Sequence, residues 1–320
     1  MRTFCSALCL LFATLGASAS ADYPDKPIKI IVPFAAGAGT DAVARFTAQK
    51  LEEQLKQAVI VENRVGASGA IGTQAVANAA PDGYTLLFVA SPFTTVAAAT
   101  PLVANYDPVK QFTPVALIAA GPLVWIANAR APYTTMREMI AYAHANPGKL
   151  AYGSAGAGGV NHLALELFKL KTGTEILHVP YKGIAPATTD LLGESIALLT
   201  GTIPAVLPHV KGGKARALAV TGEKRSPLLP DVPTMKEAGT HGTEVYNYWG
   251  LVAPIGTPAA IVNRLNAEVQ KFLAQRDVQE RLAGDGVDLT PGGPERLATF
   301  IAHDFNGWKK LVADVKLKVE

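Results

Sequence analysis

The chain has 320 residues, 49% of them hydrophobic and 17% charged, with a formal net charge of +3. That composition is globular, with enough apolar surface for two modest domains. A charge this small, with no basic run denser than Lys211-Gly212-Gly213-Lys214-Ala215-Arg216, argues against nucleic acid as a partner.

Residues 1–21 read as a secretory signal peptide. Arg2 is the charged start, residues 4–15 are the apolar stretch, and Ala17-Ser18-Ala19 and Ala19-Ser20-Ala21 are small-residue cleavage sites. The stretch is too short to span a bilayer comfortably, and no later run approaches about 18 apolar residues. Cys5 and Cys9 both fall inside it, so the processed chain has no disulfide and no cysteine-held metal. A large cysteine-free exported protein fits a bacterial periplasm.

Short apolar strands then alternate with amphipathic helices. Residues 29–32 form a strand, and residues 41–55 a helix with Val43, Ala44, Phe46, Ala48 and Leu51 on its buried side. A strand at 59–61, a helix opening at Gly66-Ala67-Ser68-Gly69 and running to Ala80, a Pro81-Asp82-Gly83 turn and a strand at 84–89 follow. This βαβαβ order predicts an α/β fold with a parallel sheet covered on both faces, its ligand at the carboxyl ends of the strands.

A second α/β block starts at strand 123–127. It continues through helix 135–145, strand 150–152, helix 160–170, and strands at 176–179 and 217–220. Residues 251–254 read as a strand returning to the first block, and 258–274 and 294–317 as closing helices. The division is therefore domain 1 at 22–123 and 246–320, and domain 2 at 124–245. Two crossovers of this kind make a hinge.

Two glycine-rich loops join strand ends to helix starts: Pro33-Phe34-Ala35-Ala36-Gly37-Ala38-Gly39-Thr40-Asp41 and Tyr152-Gly153-Ser154-Ala155-Gly156-Ala157-Gly158-Gly159. Helix N-termini offer free N–H groups and a partial positive charge, and glycine lets the backbone approach a bound group. Together the loops predict a cleft that grips a small anion, and a branched side chain at Gly37 would block that approach.

Other chemistry fits less well. Gly37-x-Gly39-x-x-Ala42 with Glu62 beyond it partly mimics a dinucleotide fingerprint, but the glycines come four residues late. No Lys-Ser/Thr pair follows them, so a phosphate-binding P-loop fails. Neither Ser68 nor Ser154 has the Gly-x-Ser-x-Gly pattern of a nucleophile elbow. His162 and Glu166 share a helix face without a third metal ligand, and a capping or packing histidine is the plainer reading. Tyr246, Tyr248 and Trp249 read equally as cavity lining and as core. An exported hydrolase or oxidoreductase on the same sheet stays as the alternative function.

A series of motifs resembles the tripartite tricarboxylate transporter receptors, also called the Bordetella uptake gene (Bug) family. It begins with Pro27-Ile28-Lys29-Ile30-Ile31-Val32-Pro33-Phe34, the first glycine loop and Asp41, then Pro81-Asp82-Gly83-Tyr84-Thr85-Leu86-Leu87. Tyr152-Gly153-Ser154 with His162-Leu163 and Glu166-Leu167-Phe168 follows, then Val179-Pro180-Tyr181-Lys182-Gly183. Leu229-Pro230-Asp231-Val232-Pro233-Thr234 with Glu237-Ala238-Gly239, and Ala253-Pro254-x-Gly256-Thr257-Pro258, complete it. Each motif is weak alone; the ordered series is specific.

The resemblance implies a type II periplasmic binding protein with two α/β domains hinged around a central ligand cleft. It also implies no catalysis, no cofactor and no metal. It implies a small carboxylate ligand (a di- or tricarboxylate, an acidic amino acid or an aromatic acid) held by backbone, hydroxyls and two ordered waters. The implied partners are membrane transporter subunits or a sensor kinase, and the implied state is a monomer. Carried over by position, the ligand-binding residues are Phe34, Gly37, Ala38 and Asp41, Ser68, Ser91, then Ser154, Gly156 and Gly158, with Tyr181 and Gly183. Asp190 either meets the ligand's variable end or is solvated on its helix. Three places depart from the family pattern: Ala38 stands for a second glycine, Gly159-Val160-Asn161 lacks a hydroxyl before His162, and Leu199-Thr200-Gly201-Thr202 lacks Asp or Asn.

Overall fold

The computed structural model describes residues 23–37, 39–284, 286–287 and 292–318. The proposed signal segment and Ala38 lie outside them. In chain order the elements are β1 (Ile28–Val32), α1 (Gly39–Leu55), β2 (Val59–Asn63), a short 3-10 turn at Ala67–Gly69, α2 (Ala70–Ala77), β3 (Thr85–Ala90), α3 (Pro92–Ala99), α4 (Pro101–Ala104) and β4 (Phe112–Asn128). Next come α5 (Met136–Ala145), β5 (Leu150–Ser154), α6 (Val160–Thr172), β6 (Ile176–Pro180), α7 (Ile184–Leu192), β7 (Leu198–Thr202), α8 (Ile203–Lys211) and β8 (Ala215–Val220). The chain closes with β9 (Tyr246–Pro254), α9 (Ala259–Leu273), α10 (Arg276–Gly284) and α11 (Pro294–Asp314).

Side chains alternate across a strand, so a strand covered on both faces must be apolar at every position. β1 shows this. Ile28, Ile30 and Val32 join a core with Phe46 and Leu51 of α1 and Leu265 and Phe272 of α9. Ile31 points the other way, toward Val76, Phe93 and Leu297. β1 lies parallel to β2 and β3, with Lys29 opposite Ile60 and Thr85, and β3 pairs antiparallel with β9.

β4 connects the two halves of the molecule. Its first part, Phe112 to Pro122, runs antiparallel to β9; from Leu123 onward it pairs with β7 and β8 instead. The second half repeats the layering of the first. Trp125 packs on Tyr152 and Phe168 on one face, with ring centroids 5.1 and 4.7 Å apart. Val124 and Ile126 meet Ala187, Leu191 and Val206 on the other. α11 touches both halves: Leu297 and Ile301 lie in the first core, while Trp308 and Leu311 pack with Leu123 and Leu163.

Sequence periodicity located most of these elements within a few residues. α5 starts where expected because Thr135 and Glu138 close a capping box. It did not anticipate α3, α4, α7, α8, α10, β7 or the first part of β4. α3 is short, mostly Ala and Thr, and buried from Phe93 to Ala99, so it has no exposed polar face to create a helical period.

Candidate functional site

Five helices begin at the carboxyl ends of five strands and aim their N-termini at one cavity of about 340 Å³. They are α1 after β1, α3 after β3, α6 after β5, α7 after β6 and α8 after β7. Gly39 and Thr40 of α1, Pro92 of α3, Gly159 and Val160 at α6, Gly183 and Ile184 at α7, and Thr202 ahead of α8 all line it. Each helix start leaves N–H groups without an intrahelical acceptor and carries roughly half a positive charge. The remaining lining comes from Phe34, Ser68, Ala90, Val96, Leu123, Ala155, Gly156, Ala157, Asn161, Gly201, Asn247 and Trp249. Among the described residues no charged side chain lines the cavity, so it offers an anion backbone N–H groups and neutral polar side chains.

Of the residues carried over from the family pattern, Phe34, Ser68, Gly156 and Gly183 stand on the cavity wall. Gly37, Asp41, Ser91, Ser154, Gly158, Tyr181 and Asp190 are off the lining, and Ala38 lies outside the described residues. Asp41 is buried; its carboxylate accepts hydrogen bonds from Gly37 N–H at 2.8 Å, Arg45 Nε at 2.9 Å and Asn63 Nδ2 at 2.8 Å. Burial pushes its pKa up, but the bonds from Arg45, Gly37 and Asn63 more than offset this and hold it below the ordinary value. Gly37 has φ +80°, and a Cβ there would meet no atom within 4 Å. The left-handed backbone favours glycine at this position, and its N–H is given to Asp41.

Ser91 Oγ donates to Tyr246 O and accepts from Tyr248 N–H, tying β3 to β9. Tyr181 donates to Asp190 Oδ2 at 2.7 Å, so these two residues pair with each other. Burial and then Asp190 push the Tyr181 phenol up to about 12. Gly158 N–H, at 3.1 Å, donates to His162 Nδ1.

His162 is a packing residue. Its ring stacks on His178, with centroids 3.7 Å apart and planes 5° from parallel. His178 Nε2 lies 2.6 Å from Ser154 Oγ, which also contacts both backbone groups of Gly156. Burial above all holds both imidazoles at about 4, so they are neutral near pH 7. A serine beside a histidine resembles a nucleophile and its base. Ser154, however, is fully buried and off the cavity wall, so this pair acts as a brace for the second glycine loop.

Asn161, at one of the atypical positions, spends its amide on Thr200 O and Thr200 Oγ1 at 2.7 and 3.0 Å. Thr200 in turn lies 2.5 Å from Tyr152 OH. Two family departures are thus joined in one buried network. Trp249 lines the cavity and its indole N–H donates to Thr40 Oγ1 at 3.3 Å, whereas Tyr248 is fully buried against Phe300. Glu62 is paired with Lys29 and Arg64 at the end of β2. Arg216, the last of the basic run, donates to Tyr133 O and Ala129 O. Among the described residues no group of three His, Cys, Asp or Glu could hold a metal, and no helix is long and apolar enough to cross a membrane.

Sequence reading missed Thr40, Pro92, Val96, Leu123, Ile184 and Thr202 as wall residues, and it missed His178 altogether. The rule that ligands sit beyond strand ends would have found the residues after β3, β6 and β7 had those strand–helix joints been recognised.

A mixed α/β chain with helix starts gathered over the strand ends has the fold of a periplasmic binding protein. A solved periplasmic binding protein, BugD, aligns with a TM-score of 0.82 at 36% identity, covering 93% of this chain and 100% of that one. The family model for the tripartite tricarboxylate transporter family receptor, TctC, matches residues 43–317, and the chain belongs to that family. The protein BugT of Bordetella pertussis is 37% identical over 316 residues, 97% of each chain. A structure of an R. palustris protein with adipate aligns with a TM-score of 0.84 at 35% identity, covering 92% of this chain and 99% of that one.

Proposed function

We propose that this protein is a periplasmic receptor that captures a small carboxylate and delivers it to a tripartite transporter or to a membrane sensor. The observation that carries the reading is the convergence of five helix N-termini on one cavity with no charged side chain on its wall among the described residues. Such a site suits an anion held by backbone N–H groups, hydroxyls and water. The adipate in the R. palustris structure supports a carboxylate as that anion. The chain acts as a monomer of two domains, 22–123 with 246–320 and 124–245, which close on the ligand by a hinge where strand pairing changes at Leu123 and where β9 begins. It works by binding and not by catalysis, after removal of residues 1–21.

A thermal-shift screen of the purified protein against carboxylates tests the proposal. An acid present at 100 times its dissociation constant adds about 2.7 kcal/mol to stability. The reading fails if no acid moves the midpoint while an ester or a nicotinamide cofactor is turned over.

A further inference from the structure

One apolar cluster is built from both halves of the molecule. Trp308 and Leu311 of α11 pack there with Leu163 and Ala164 of α6, against Ala99 at the end of α3. Leu123, where β4 changes partners, and Val245, just ahead of β9, belong to the same cluster. α11 is fixed to the first half before it reaches this point. Leu297 and Ile301 lie in the first core, and Asp304 accepts a hydrogen bond from Thr94 Oγ1 of α3 at 2.6 Å. Its last turns then meet α6.

α6 carries part of the cavity with it. Val160, its first residue, belongs both to the cavity wall and to this cluster. A Cβ on Gly158, in the loop ahead of α6, would lie 3.4 Å from Ala99 Cβ and 3.7 Å from Thr100 Cγ2, so the second glycine loop rests against the end of α3. A rotation about the two crossing strands that drew α6 away from α3 and α11 would put the apolar surface of Trp308, Leu311 and Leu163 into water.

Resting on the hinged two-domain reading above, we propose that the last turns of α11 are a strap that biases the ligand-free protein toward a closed cleft. The strap touches α6 and not the ligand, so Trp308 and Leu311 are positioning residues. Less of a ligand's binding free energy then goes into closure, because the binding-competent arrangement is already the major one.

Spin labels across the cleft test this without a ligand. Residues 22–320 contain no cysteine, so cysteines placed at exposed Ala36, in the first glycine loop, and exposed Lys182, beside Gly183, take one label on each lip. The unliganded protein is expected to show mainly one short distance. Trp308→Ala and Leu311→Ala should each raise the ratio of long to short distances about fivefold or more. Trp308→Phe, which keeps a ring in the cluster, should raise it less. If Trp308→Ala does not fold, Leu311→Ala and Trp308→Phe carry the comparison. Ala157→Trp puts a bulky ring on the cavity wall and serves as a wedge that forces hinged lips apart. A wedge that lengthens the distance while the folded strap variants leave it unchanged overturns the strap and leaves the hinge standing. A mainly long distance in the unliganded parent protein overturns the strap as well. If neither wedge nor truncation moves the distance, the hinged reading falls with it.

Discussion

The two glycine loops look alike in sequence and are held in opposite ways. The loop after β1 is fixed by a charge: ionised Asp41 gathers Gly37, Arg45 and Asn63. The loop after β5 is fixed by neutral rings: Ser154 against His178, His178 on His162, and His162 on Gly158. Both put a helix start at the cavity. The charged brace also places a negative charge behind its own wall, whereas the neutral brace leaves the positive ends of α6 and α7 unopposed. Equal glycine content therefore does not mean equal affinity for an anion.

The largest expected effect comes from removing the charged brace. Asp41→Ala removes the acceptor shared by Gly37 N–H, Arg45 and the Asn63 amide and should cost roughly 2–4 kcal/mol in urea unfolding. A cost under about 0.5 kcal/mol would show that the loop holds its shape without the carboxylate.

Acid should separate the two braces. The folded histidine pKa values of about 4 lie below the ordinary 6.5, so between those values the unfolded chain takes up protons that the folded chain refuses. The stability they contribute is present above pH 6.5 and declines as the pH drops toward 4. Enclosed His162 accounts for a loss of about 3 kcal/mol, and half-buried His178 adds less. Asp41 is also held below its ordinary value, 3.8, so its contribution is intact across that window and is lost only below it. Urea midpoints measured from pH 7 to pH 4 check this. His162→Phe with His178→Phe, which keeps two stacked rings without titration, should flatten the decline; an unchanged slope would assign it elsewhere.

Glycine substitutions should split stability from binding. Gly156 lines the cavity at φ +143°, and a Cβ there would lie 3.7 Å from Tyr181 O. Gly156→Ala should weaken carboxylate binding about tenfold or more, because its backbone at φ +143° is closed to alanine. Gly37→Ala, with open space around it, should cost about 1–2 kcal/mol of stability and leave affinity within about twofold. Equal affinity losses in the two variants would erase the distinction between wall and brace.

The smallest effect is at Glu62. Glu62→Gln breaks part-exposed pairs with Lys29 and Arg64 and should change stability by no more than about 1 kcal/mol and binding not at all. Lost affinity there would reopen the dinucleotide-like reading of the first loop.

The sequence made the layers legible because β1 and β5 carry their own turn signals and α1, α6 and α9 have clear apolar faces. It also made the loop neighbourhood legible: Phe34, Ser68, Gly156 and Gly183 are wall residues. It did not reveal which loop residues face the cavity and which stand behind it, because that depends on contacts across the chain. Asp41 turns to Asn63, 22 residues on, and Ser154 to His178, 24 residues on. Nor did it show Leu123 and Asn247 on one wall, since they meet only through β4 and β9 pairing.

The central claim is that an anion is held by helix N-termini without a cation. A crystal structure of the protein with the carboxylate that gives the largest thermal shift tests it most directly. The account predicts carboxylate oxygens about 3 Å from backbone N–H groups at the starts of α6 and α7. A carboxylate paired with a lysine or arginine side chain, or seated outside the cavity, would contradict it.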